Sequence, residues 1–235
     1  MSWAEIHRQR LDQVEGIVFD WDGTLADSIA TIVSCMQSAA VAIELAVPGD
    51  DAVRDIIGLG LAEAAQQLFP NVSIKQQQDL VEGYRQHYLR PENRQVMLFD
   101  GVRELLVELK NSGYLLSIAT GKSRRGLDRA LAETGLADFF VGTRTVDECF
   151  SKPHPQMLEE LADIKGMAAS RLLMVGDGLM DIEMASNAGV LPVAVSSGAG
   201  DERELLAAGA IGCLGSVSEL GLSGGLLKSI NSVTG

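Results

Sequence analysis

Two carboxylates, Asp20 and Asp22, stand two residues apart in Asp20-Trp21-Asp22-Gly23-Thr24, directly after the apolar run Ile17-Val18-Phe19. A pair so placed can attack an electrophile or move protons. The run before it is short, β-branched and aromatic, and reads as a buried strand. In open α/β sheets ligands bind beyond the carboxyl ends of the strands. On this stretch alone, an ordinary Asp-Gly turn explains the pair as well as a reactive site does. A calcium loop does not, because the Gly comes too early and Thr31 stands where a bidentate Glu is required.

Matching chemistry recurs three times downstream. Thr120-Gly121-Lys122-Ser123 places a hydroxyl beside a Gly whose backbone N–H can approach an oxyanion closely. Ser151-Lys152-Pro153-His154-Pro155 sets a Lys before two stiffening prolines, a means of holding an ammonium against phosphate. Gly176-Asp177-Gly178-Leu179-Met180-Asp181 adds two more carboxylates. Taken singly, the first two fit a plain turn and a solvated loop. Each stretch follows a predicted strand, so four acids are expected to converge at one end of a sheet. That much negative charge calls for a cation, and carboxylate oxygens suit Mg²⁺.

The elements that must position these residues are legible in the apolar pattern. Strands are predicted at Tyr114 to Ala119, Phe139 to Val141, Arg171 to Val175 and Leu191 to Val195. Between them, helical patterns run over Gly101 to Leu109, Leu127 to Ala132, Gln156 to Ile164, Asp181 to Asn187 and Arg203 to Ala208. The alternation implies a Rossmann-like α/β core with a parallel sheet.

One long interruption, residues 26–96, is helical throughout. Ile29, Ile32, Val33, Met36, Ala40 and Ile43 form one amphipathic face. Pro48-Gly49-Asp50-Asp51 breaks it and supplies an N-cap for a short helix beginning with Val53, Ile56 and Ile57. Gly58-Leu59-Gly60 interrupts again, Leu61 to Phe69 and Ile74 to Leu89 follow, and Pro91-Glu92-Asn93 reads as a linker. The expected division is a core of 1–25 and 97–235 with a helical insert of 26–96. The Ser- and Gly-rich tail after Leu214 holds one weakly apolar helix.

Composition narrows the function classes. The 235 residues, 46% apolar and 22% charged, suit a soluble globular protein, and no apolar run approaches the ~20 residues of a membrane span. A net charge of −13 disfavours nucleic acid as a partner and favours a small ligand. Cys35, Cys149 and Cys213 are odd in number and widely spaced, which predicts free thiols in a reducing, cytoplasmic setting. The N-terminal segment lacks the apolar region of an export signal. His7, His87 and His154 have no ligand-spaced companions.

The ordered set of acid pair, hydroxyl, Lys and acid pair resembles the haloacid dehalogenase-like phosphohydrolase superfamily over roughly Gly16 to Gly200. The insert resembles that family's α-helical cap, and the nearest subgroup is phosphoglycolate phosphatase-like. The resemblance implies that Asp20 is the nucleophile forming an aspartyl-phosphate and Asp22 the general acid and base. It assigns Thr120, Gly121 and Lys152 to the phosphoryl group. It assigns Mg²⁺ to Asp20, the backbone carbonyl of Asp22 and Asp177, with Asp181 ordering coordinated water. Arg54, Gly58 and Gly60 are the candidate substrate contacts of the cap.

The implied reaction is hydrolysis of a small phosphorylated metabolite, 2-phosphoglycolate first, with a sugar or nucleotide phosphate or a mutase as alternatives. Leu61 stands where mutases of similar build carry an Arg. A non-catalytic binding protein would have lost Asp20, Asp22 or Lys152, and all are present. Two residues depart from the family pattern: Trp21 replaces a Phe, and Gly178 replaces a hydroxyl residue.

Overall fold

Ile17, Val18 and Phe19 are fully buried, and their side chains serve two different cores. Alternation along the strand sends Ile17 and Phe19 to one face of the sheet and Val18 to the other. The computed structural model describes residues 2–221 and 226–228. Its strands are β1 (Gly16–Phe19), β2 (Leu115–Thr120), β3 (Phe140–Thr145), β4 (Leu172–Gly176), β5 (Leu191–Val195) and β6 (Cys213–Leu214). They form one sheet in the order β3-β2-β1-β4-β5-β6, every pairing parallel.

The helices are α1 (Trp3–Ile6), α2 (Arg8–Leu11), α3 (Ile29–Ala42), α4 (Asp50–Arg54), α5 (Leu61–Leu68), α6 (Ile74–Tyr88) and α7 (Pro91–Arg94). They continue with α8 (Val102–Asn111), α9 (Arg124–Thr134), α10 (Gln156–Lys165), α11 (Leu179–Ala188) and α12 (Glu202–Ala207). Leu105, Leu106 and Leu109 of α8 and Leu127 and Leu131 of α9 cover the Ile17 face, where Trp21 is also buried. Met157, Leu158 and Leu161 of α10 and Met184 and Ala185 of α11 cover the Val18 face.

The interrupting helices have a hydrophobic cluster of their own. Ile29, Ile32, Val33, Met36, Ala39 and Ala40 of α3 meet Val53, Ala64, Ala65 and Leu80 from α4, α5 and α6. The i, i+3, i+4 spacing of the α3 residues sets this face. Ser73 caps α6 with its hydroxyl, and Gln76 returns the bond to the Ser73 amide.

Several expectations are corrected. Pro91-Glu92-Asn93 is not a linker but the first turn of α7, where Pro at the start loses no helical hydrogen bond. The short helix expected to begin with Val53, Ile56 and Ile57 starts earlier, at Asp50, and stops at Arg54, with Gly49 as its N-cap and no side-chain cap bond. β3 extends four residues past the predicted Phe139 to Val141, through Gly142, Thr143 and Arg144 to Thr145. As an edge strand it needs no apolar alternation on its exposed side. The two-residue β6 and the short helices α1 and α2 have no periodic signal of their own. The tail makes a 3₁₀ turn at Val217–Leu220, and its expected weak helix otherwise falls almost wholly outside the described residues.

Candidate active site

The strand order reverses between β1 and β4, opening a crevice at their carboxyl ends. Asp20 directly follows β1 and Asp177 directly follows β4, so they flank this crevice. The Asp20 amide donates to the carbonyl of Val175 at 2.9 Å, which continues the ladder and fixes the nucleophile candidate to its neighbour strand. Asp181 enters from the first turn of α11, and Lys152 from the loop before α10. All four side chains are buried.

Lys152 Nζ lies 2.6 Å from Asp181 Oδ1 and 2.8 Å from Asp20 Oδ1. Burial lowers the ammonium's pKa, but Asp181 and Asp20 together outweigh it and the net shift is upward. Lys152 is therefore a fixed positive charge. Asp20 moves well above the ordinary carboxylate range, first through burial, which the Lys152 charge opposes and Asp181 and Asp177 reinforce. Asp177 is pushed up to about 7 by burial and then by Asp181, against the Ala199 amide and the Thr24 hydroxyl.

Burial and the crowding of acids around one ammonium cause both shifts. Asp20, Asp177 and Asp181 each present a carboxylate oxygen within 4.8 Å of the others. Asp20 Oδ1 makes no hydrogen bond beyond its ion pair with Lys152. Thr24 Oγ1 donates to Asp177 Oδ1 at 2.8 Å, the Ala199 amide to Asp177 Oδ2 at 2.8 Å, and the Gly178 amide to Asp181 Oδ2 at 3.1 Å. The Asp177 and Asp181 carboxylates are thus held in orientation by these donors beside Asp20. An all-oxygen set of this kind fits a hard divalent cation. Gly178, without the hydroxyl common at that position, still supplies a bond through its backbone.

Asp22 departs from the expected convergence of four acids. It is turned to Lys122, whose Nζ donates to its Oδ1 and Oδ2 at 2.8 and 2.9 Å, and it accepts from Ser28 Oγ at 2.6 Å. Lys122 Nζ also reaches Tyr88 Oη at 3.2 Å and lies over that ring. Burial depresses the Lys122 pKa, and Asp22 with Tyr88 more than restores it. Lys122 and Thr24 stand in the sequence motifs without an assigned task, whereas Ser28, Tyr88 and Ala199 lie outside them. The first two had a local signal, lying two residues beyond Thr120 and Asp22 respectively.

Thr120, the last residue of β2, is buried, and its Oγ1 accepts from the Lys122 amide at 3.2 Å. Gly121 touches the helical segment through the Gly58 carbonyl, and the Gly60 amide donates to Ser151 Oγ at 3.4 Å. Gly58 and Gly60 are therefore brought to the Thr120 and Lys152 loops. Gly58 adopts φ +107°, which only Gly takes without strain. Arg54 lines a different groove of about 240 Å³, with Ala30, Val33, Ser34, Gln37 and Asp50.

Residues 17–195 match the family of haloacid dehalogenase-like hydrolases. The chain belongs to that family. A phosphoglycolate phosphatase of Nitrosococcus oceani is 30% identical over 196 residues, covering 80% of this chain and 86% of the relative. The pyrophosphatase PpaX of Bacillus cereus is 29% identical, covering 78% of this chain and 84% of its own. A Bacteroides fragilis protein, solved as a haloacid dehalogenase-like hydrolase, superposes with a TM-score of 0.80 at 26% identity. That match covers 88% of this chain and 99% of the solved one. Among the described residues, no helix of this haloacid dehalogenase-like hydrolase is long and apolar enough to cross a membrane.

Proposed function

We propose that the protein is a magnesium-dependent phosphatase that hydrolyses small phosphomonoesters through an aspartyl-phosphate on Asp20, with a phosphoglycolate-like substrate favoured. The observation that carries this reading is the placement of Asp20 at the strand-order reversal, paired with Lys152 inside a cluster of carboxylates. The phosphoglycolate phosphatase of Nitrosococcus oceani supports the substrate class.

Asp20 attacks phosphorus, its oxygen bonding as the ester P–O bond breaks. Asp22 gives a proton to the departing oxygen. It then takes one from the water that attacks phosphorus and frees Asp20. A carboxylate approaching a phosphate dianion meets repulsion of about 4 kcal/mol per pair of unit charges at about 4 Å and an effective dielectric near 20. The buried Lys152 ammonium offsets part of it. Thr120 and the Gly121 amide hold the phosphoryl oxygens, since positioning dominates phosphoryl transfer. Asp20, the Asp22 carbonyl and Asp177 would hold Mg²⁺, with Asp181 ordering its water, and the ion would supply the remaining positive charge.

Residues 26–96 act as a cap over the core of 1–25 and 97–235, excluding water and reading the substrate through Gly58 and Gly60. Their separate hydrophobic cluster supports that division. Three free cysteines suit a cytoplasmic setting. The test is phosphate release from a panel of phosphoglycolate, hexose phosphates and nucleoside monophosphates with Mg²⁺. Asp20→Asn is expected to abolish release, and full activity in that variant would overturn the reading.

A further inference from the structure

The Lys122 ammonium is poised where the far end of a substrate must lie. Asp22 serves the ester oxygen, so whatever that oxygen carries sits within a few bonds of the Asp22 carboxylate. Lys122 Nζ contacts both Asp22 oxygens, and its side chain is only 11% exposed. Tyr88, at the end of α6, holds Nζ from the opposite segment at 3.2 Å and places its ring 5.2 Å from it.

A second cation adjoins the same ring. The Arg129 guanidinium of α9 lies 5.7 Å from the Tyr88 centroid. Its buried Nε makes no hydrogen bond, although Glu133 Oε1 stands 3.4 Å away. Lys122 is paired with Asp22 and Arg129 with Glu133, so an anion that draws Lys122 from Asp22 meets two cations around one tyrosine at the junction of helical segment and sheet.

We infer that Lys122, backed by Tyr88 and Arg129, determines specificity by receiving a second anionic group on the substrate, one or two bonds from the ester oxygen. The inference rests on the phosphatase reading. A carboxylate or a second phosphoryl group provides the same chemistry, a negatively charged oxygen acceptor for a partly desolvated ammonium. A neutral alcohol end does not, and leaves Lys122 on Asp22.

The test compares three substrates on the full chain with Mg²⁺: 2-phosphoglycolate, pyrophosphate and the neutral-ended 2-hydroxyethyl phosphate. Wild type is expected to prefer one or both anionic-ended substrates. Preference for the first alone assigns a carboxylate, and for the second alone a phosphoryl group. In Lys122→Met the preference should collapse by about tenfold or more, mainly through KM, the scale of one charge-assisted hydrogen bond. Lys122→Arg should recover part of it. An equal loss on all three substrates would overturn the inference and reduce Lys122 to a holder of Asp22.

A binding measurement on wild type keeps the two claims apart and does not depend on the variants folding. With Mg²⁺ present, calorimetry compares 3-phosphonopropionate with propylphosphonate, which differ only in the terminal carboxylate. Tighter binding of the former by about tenfold supports a carboxylate subsite even if no ester is turned over. Equal affinities, together with no preference for pyrophosphate, overturn the subsite while leaving the hydrolase reading intact.

Discussion

A Cβ on Gly121 would lie 2.3 Å from the carbonyl oxygen of Gly58, so the loop after β2 and the loop before α5 meet backbone to backbone. This contact joins the phosphate-binding candidate directly to the helical segment. Gly121→Ala is expected to push the Gly58 loop outward, since backbone on both sides cannot yield in place. kcat/KM should fall by about a hundredfold, the cost of misplacing contacts by about 1 Å. The melting temperature should fall as well, because the Gly58 loop is flanked by Ile56 and Leu59, both buried in the helical segment's core. Steady-state kinetics and thermal unfolding check both halves.

Lys152 is the charge that lets Asp20 and Asp181 share a dry site. Lys152→Met removes it and leaves buried carboxylates unpaired, a loss of about 3–5 kcal/mol in the metal-free protein. Urea unfolding with EDTA reads the loss, and added Mg²⁺ should return part of the stability but not the turnover.

The raised carboxylates give the metal-free protein an unusual pH profile. Asp177 titrates at about 7 in the fold, against an ordinary value of 3.8. Between these values the unfolded chain has released a proton that the native state keeps. Stability should therefore fall as pH rises from about 4 to about 7, by up to about 1.4 kcal/mol per unit for this one group. Asp20, shifted the same way, adds to the slope. Urea midpoints in EDTA at pH 5 and pH 7.5 test the sign, and stability rising across that window would refute it.

The parallel core was legible because its strands are buried on both faces and read as unbroken apolar runs, as in Ile17-Val18-Phe19 and Leu191 to Val195. Family membership was legible because Asp20, Thr120 and Asp177 each end or follow such a run, and because Lys152 stands before two prolines. The edge was not: β3 is polar at Thr143, Arg144 and Thr145, and β6 is two residues long. Nor was the contact from Lys122 to Asp22, which joins residues a hundred positions apart. Pairings of that kind come from topology, and no local period announces them. Trp21, in contrast, is buried as a Phe there would be, because the position needs bulk.

Thr24 acts on the site through Asp177, its hydroxyl donating at 2.8 Å. Thr24→Val keeps the shape and deletes the bond. The concentration of Mg²⁺ needed for half-maximal activity should rise by about 10–100-fold, the usual cost of losing an outer partner of a metal ligand. EDTA should silence the wild type, and excess Mg²⁺ should restore it. An unchanged Mg²⁺ requirement in Thr24→Val would remove Asp177 from the metal site.

The covalent role of Asp20 is the claim on which the proposed mechanism stands. Enzyme mixed with 2-phosphoglycolate and Mg²⁺, quenched in acid during turnover and reduced with borohydride, should carry homoserine at position 20, the reduction product of an aspartyl-phosphate. Peptide mass spectrometry locates it, and the signal should vanish without substrate. Rapid phosphate release with Asp20 unmodified, or with homoserine at Asp22, Asp177 or Asp181 instead, would contradict the account.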